Sequence, residues 1–127
     1  MKEGFYSWST QSHSVFDTTV VTIDTDDGIT GTGECCPLGP TYLPAYAEGV
    51  RAGIATIAPE LIGQDPTHLD CINDTLDHLL KGHPYVKSAI DMACWDILGK
   101  TTALPLYTLL GGKQQDRAKL YKVVTRT

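Results

Sequence analysis

The segment VFDTTVVTIDTDDGITGTGECC, residues 15–36, constrains the fold more than any other part of the chain. Val15 to Thr25 is rich in β-branched residues, Asp27-Gly28 supplies a turn, and Ile29 to Cys35 returns, so the stretch reads as a β-hairpin. Gly31 and Gly33 stand two residues apart, on one face of the return strand. A strand face without side chains lets another element approach closely. A phosphate-binding G-x-G loop is the other use of such glycines. Here GTGECCP runs into a proline with no third glycine and no helix start, which weakens that reading.

The rest of the chain supplies helices to cover that face. CPLGPTYLP, with Pro37, Pro40 and Pro44, is a loop, because proline removes ladder donors. From Ala45 the pattern turns helical, with Val50, Ile54 and Ile57 along one face and Pro59 at the exit. In GQDP, Asp65 is expected as the N-cap of a second helix and Pro66 as its first residue. Leu69, Ile72, Leu76, Leu79 and Leu80 form its apolar stripe, and Gly82 ends it. A third helix starts near Pro84 and carries SAIDMACWDILGK. Val86, Ile90, Ala93 and Ile97 line one face, with Ala89 and Cys94 filling beside them. ALPLYTLLGG restarts briefly at Pro105 and stops at Gly111-Gly112, after which AKLYKVVTRT resumes β-like residues. The fold class expected is α+β, a small antiparallel sheet followed by a bundle of three to four helices.

Asp91 and Asp96 invite reading as an acid/base pair, but a five-residue offset on a helix separates them by about 140°. That spacing cannot aim both carboxylates at one substrate atom, and Asp96 is expected to face a neighbouring helix end or a basic partner in a structural role. His13, His68, His78 and His83 form no H-x-x-x-H pair, and with scattered cysteines they make no zinc template. Glu34 is expected to be a hydrogen-bonded structural carboxylate and Trp95 to serve packing or an interface. No G-x-S-x-G occurs, and no complete catalytic constellation is visible.

Composition narrows the class further. A chain of 127 residues, 42% hydrophobic and 20% charged, is long enough for one domain with a core. Its net charge of −5 lacks the basic footprint of a nucleic-acid or anionic-membrane binder. No apolar run approaches transmembrane length, and MKEGFYSWSTQSHS has no apolar core of a signal peptide. The cysteines at 35, 36, 71 and 94 show no C-x-x-C spacing, so reduced thiols in a cytoplasm are expected.

Two long segments then carry a resemblance. SAIDMACWDILGKTTALPLYTLLGG, and upstream of it DDGITGTGECCPLGPTYLP, resemble in order and distance the mandelate racemase/muconate lactonizing branch of the enolase superfamily. The resemblance implies an N-terminal capping domain over residues 1–112, seated on the C-terminal face of a (β/α) barrel. Residues 113–127 would be a linker and the start of the first barrel strand, KLYKVVTRT. It also implies Mg²⁺-assisted abstraction of a proton next to a carboxylate, with bases and metal ligands on barrel strands beyond residue 127. Family members usually carry a further strand before the segment GFYSWSTQSHS.

Two loops of such a domain reach the substrate, here Phe5 to His13 and Cys36 to Tyr42. CPLGPTYLPAYAEGVRAG with KGHPYVKSAIDMACWD looks most like members acting on proline-type amino acids, the hydroxyproline-betaine epimerases and cis-3-hydroxyproline dehydratases. On that resemblance Tyr42 contacts a small amino-acid-like carboxylate, and Tyr6 and Trp8 offer aromatic faces to its cationic nitrogen. The partners implied are the barrel of the same enzyme and further copies in a homo-oligomer. The alternative is a stand-alone, non-catalytic interaction module or a truncated gene product.

Overall fold

The computed structural model describes residues 4–8 and 11–121, with the side chain of Trp8 outside that description. Strands β1 (Tyr6–Trp8) and β2 (Gln11–His13) pair antiparallel, and β3 (Thr19–Asp24) and β4 (Thr30–Cys35) form a second antiparallel pair. Helices α1 (Ala47–Ile57), α2 (Leu69–Leu79), α3 (Pro84–Thr102) and α4 (Leu106–Leu109) follow, with a 3₁₀ turn at Ala58–Leu61. The architecture is the α+β arrangement of small antiparallel sheet and helices expected from the pattern.

The β3–β4 hairpin closes through Thr25, which donates to the Ile29 carbonyl at 3.0 Å, while Gly28 donates back to the Thr25 carbonyl. Gly28 sits at φ +78°, a left-handed conformation glycine adopts without steric penalty. Val21 pairs with Gly33 and Ile23 with Gly31, so the glycines share a face with the two inward aliphatic side chains. Helix α3 lies against that face. A Cβ on Gly33 would fall 2.8 Å from the Ala89 carbonyl carbon and 2.9 Å from the Ala93 nitrogen. On Gly31 it would meet the Ile97 side chain. The helix offers alanines where the strand offers glycines, and the two backbones come together.

Behind this contact Ile57, Ile72, Leu76, Val86, Ile90 and Cys94 form the core. Helix α3 has apolar residues around much of its circumference because β4, α1 and α2 all pack against it.

Three local expectations change. Asp65 does not cap α2. Its carboxylate accepts from the Thr67 amide at 2.8 Å and the Thr67 hydroxyl at 2.7 Å. That side-chain turn takes up the acceptor two residues early, so the helix starts at Leu69 behind His68, which makes no side-chain cap bond. Within the expected loop Phe5 to His13, Tyr6–Trp8 and Gln11–His13 pair as β1 and β2, with the Ser7 and Ser12 hydroxyls 2.9 Å apart across them. The first strand of the main hairpin starts at Thr19 rather than Val15. Past α4 the chain to Tyr121 has no regular structure, and residues 122–127 of the expected barrel strand lie outside the described residues.

Candidate functional site

The loop between β4 and α1 folds on itself around Gly39, whose carbonyl accepts from the amides of Tyr42 and Leu43 at 3.1 and 3.3 Å. Gly39 is at φ +109°. The turn presents Tyr42 at the surface, with 59% of its area exposed. Tyr6 on β1 is also exposed, its ring 5.7 Å from that of Phe16. His13, paired with Tyr6 across the strands, stacks on the same Phe16 ring at 6.4 Å. The Trp8 backbone pairs with Gln11, and its side chain lies outside the described residues.

A hydrogen bond between described residues joins the two loops. Gln11 Nε2 donates to Thr41 Oγ1 at 2.5 Å, tying the β1–β2 hairpin to the proline-rich loop next to Tyr42. Sequence reading did not find this pair. Two polar loop residues thirty positions apart leave no periodic signal.

The carboxylates near the hairpin and helices are engaged in holding the structure. Asp96 on α3 accepts from the Thr32 amide at 2.9 Å and from Lys100 Nζ at 2.7 Å, and Lys100 also donates to the Thr30 carbonyl. The lysine bond, helped by the Thr32 amide, holds the Asp96 carboxyl below the usual carboxylate range. Asp91 faces the other way and accepts from Asn73 Nδ2 on α2 at 2.9 Å. Glu34 accepts from the Thr18 hydroxyl at 2.6 Å. Asp17 receives both terminal nitrogens of Arg51, which lower its pKa through hydrogen bonding. Burial, then the charge of Asp91, pushes the Cys94 thiol up to about 11, which leaves it protonated and inert at neutral pH. Trp95 is half-buried and lines a small cleft with Asp96, Gly99, Lys100, Leu104 and Leu106.

Among the described residues no group of three or more His, Cys, Asp or Glu side chains is placed to hold a metal ion. No helix among them is long and apolar enough to cross a membrane. The paired loops carry the exposed Tyr6 and Tyr42 together with the hydroxyls of Ser7, Ser12 and Thr41.

Residues 6–111 match the family model described as mandelate racemase / muconate lactonizing enzyme, N-terminal domain. The chain belongs to this family. The cis-3-hydroxy-L-proline dehydratase of Roseibium aggregatum is 55% identical over 127 residues, which is 99% of this chain and 35% of that protein. A mandelate racemase/muconate lactonizing enzyme from Roseovarius nubinhibens superposes with a TM-score of 0.93 at 43% identity, covering 98% of this chain and 34% of that one. An enolase-superfamily member from the same organism, complexed with magnesium, gives 0.80 at 56% identity, covering 84% of this chain and 29% of that one. The chain thus spans about a third of the relatives it matches, and that third is the N-terminal domain. As a domain of this family, its sheet and helices form the frame on which the two loops are hung.

Proposed function

We propose that this chain is the substrate-capping domain of an epimerase or dehydratase acting on a proline-type amino acid, with Tyr42, Tyr6 and Trp8 facing the substrate. The Gln11–Thr41 bond supports the reading most directly, because it ties the β1–β2 pair, which carries Tyr6, to the loop that carries Tyr42. The dehydratase alternative draws support from the relative at 55% identity. Residues 1–112 act as the cap, and 113–127 lead into the first barrel strand.

Exposed apolar residues support a covering partner on the late part of the chain. Leu104, Leu106, Tyr107 and Leu110 are all exposed, and Leu120 and Tyr121 are 95% and 89% exposed. The barrel of the same polypeptide is the partner proposed for that surface, with assembly of the whole enzyme into homo-oligomers in the cytoplasm. Magnesium would stabilise the enolate formed in the barrel. The described residues offer it no ligand set, so this domain contributes shape, aromatic contact and exclusion of water.

A chimera tests the reading. Replacing the aligned first third of the Roseibium aggregatum dehydratase with this chain is expected to retain turnover of cis-3-hydroxy-L-proline. A folded, magnesium-loaded chimera without turnover or Cα proton exchange would overturn it.

A further inference from the structure

The segment between β2 and β3, residues 14–18, lies outside both strand pairs and joins the β1–β2 pair to the main hairpin. Its last three residues meet three different parts of the molecule. Phe16 meets the β1–β2 pair, its ring 5.7 Å from that of Tyr6 and 6.4 Å from that of His13. Tyr6 and His13 are cross-strand partners, so one ring touches both strands. Asp17 meets α1, where Arg51 Nη1 and Nη2 donate to its two carboxylate oxygens at 3.0 and 3.1 Å. Thr18 meets β4, its hydroxyl donating to Glu34 at 2.6 Å.

A guanidinium that grips both oxygens of a carboxylate fixes the plane of that carboxylate as well as its distance. The side chains of Arg51 and Asp17 are 45% and 56% exposed. An exposed ion pair adds little to global stability. Its effect here is local: it pins the joint between the two strand pairs to α1, one residue away from the ring that carries Tyr6 and His13. The contact from Thr18 to Glu34 holds the far side of the same joint to β4.

We propose that the Asp17–Arg51 pair is a positioning device for substrate recognition, which fixes Phe16 and, through it, sets the Tyr6 ring towards a proline-type substrate. The inference rests on the capping role proposed above and names the residues that aim one of its contacts. Neither Asp17 nor Arg51 touches the substrate. Their effect falls on binding that is equal in the ground and transition states, so it reads in KM and leaves kcat in place.

The test uses the chimera described above and, separately, this chain in solution. Arg51→Met keeps the helix and the apolar stem and removes the guanidinium. In the chimera it is expected to raise KM for cis-3-hydroxy-L-proline roughly three- to tenfold, with kcat held within about twofold. Arg51→Lys should recover only part of the loss, because an ammonium cannot grip both oxygens in one plane. The exchange Asp17→Arg with Arg51→Asp should recover most of it. In the chain, nuclear Overhauser contacts from the Phe16 ring to the Tyr6 and His13 rings should weaken in Arg51→Met, while amide shifts in β4 and α3 stay in place. Should Arg51→Met fail to fold, Asp17→Asn reads the same losses from the other side of the pair. An unchanged KM, a fall in kcat at constant KM, or unchanged ring contacts overturns the proposal. An inactive unsubstituted chimera would overturn the capping role, and the ring contacts in the chain then decide the positioning claim by themselves.

Discussion

Strand β4 and the β1–β2 hairpin are both short and antiparallel, yet they are attached to the molecule in opposite ways. Strand β4 meets α3 backbone to backbone through Gly31 and Gly33, and Asp96 and Lys100 close its outer edge. The β1–β2 pair is exposed at Tyr6, Ser7 and Ser12 and half-buried at Gln11 and His13, and the bond from Gln11 to Thr41 links it to a neighbouring loop. Close contact leaves no room to adjust, whereas one surface hydrogen bond that exchanges with water contributes about 0.5 kcal/mol or less. The contrast separates a close-packed seat from loops held by surface contacts, the division that the proposed capping role would use.

Gly33→Val attacks the rigid side and should have the largest effect. A Cβ there collides with the backbone of α3, so the strand must move off the helix. The expected loss is about 1–3 kcal/mol, seen as a lower denaturation midpoint at unchanged slope. An unchanged midpoint would break the claim that the contact is rigid.

Tyr42→Ala probes the adjustable side. In the chimera, kcat/KM should fall roughly 10-fold to 100-fold, about 1–3 kcal/mol, through loss of an aromatic contact and a hydrogen bond. The melting temperature should barely move, because the side chain is largely exposed. If the variant unfolds while the folded fraction keeps its kcat/KM, Tyr42 belongs to the frame and the substrate role passes to the Phe5–His13 segment.

Asp96→Ala opens the sealed edge without touching the glycine contact. Losing charge-assisted bonds at a partly exposed site should lower stability by about 1 kcal/mol. The same carboxylate sets an acid limit. Asp17, Asp65, Asp77 and Asp96 all lie below the usual carboxylate value of 3.8 in the folded chain. The unfolded chain therefore binds protons more readily than the folded one. Their contribution is complete above that value and is lost as pH falls through the lowered folded values. Asp96→Ala should flatten that acid slope, and an identical slope would show that Asp96 takes no part.

The smallest effect is expected from Gln11→Leu. Stability should change by less than about 0.5 kcal/mol, while amide exchange at Tyr42 and Leu43 quickens as the loops part. Unaltered exchange would mean that the prolines alone hold the loop.

Local chemistry made much of this legible. β-Branched residues around Asp27-Gly28 specify the main hairpin, and apolar periodicity specifies three helices, because each signal acts within a few residues. The paired glycines pointed to a close neighbour, and the five-residue offset already denied Asp91 and Asp96 a shared target. Asp65 misled because its cap-like motif serves a turn instead, a competition between two local hydrogen bonds that sequence alone does not rank. The β1–β2 pair escaped notice because strands of three residues are too short to establish a period.

What the sequence determined by itself was the set of elements, their order and the face each would bury. Tertiary structure decided which element received the glycine face, where each carboxylate found its partner, and which strand edge was sealed. It also joined Gln11 to Thr41 across thirty residues. Those are distances between segments remote in the chain, and no local preference encodes them until packing brings the segments together.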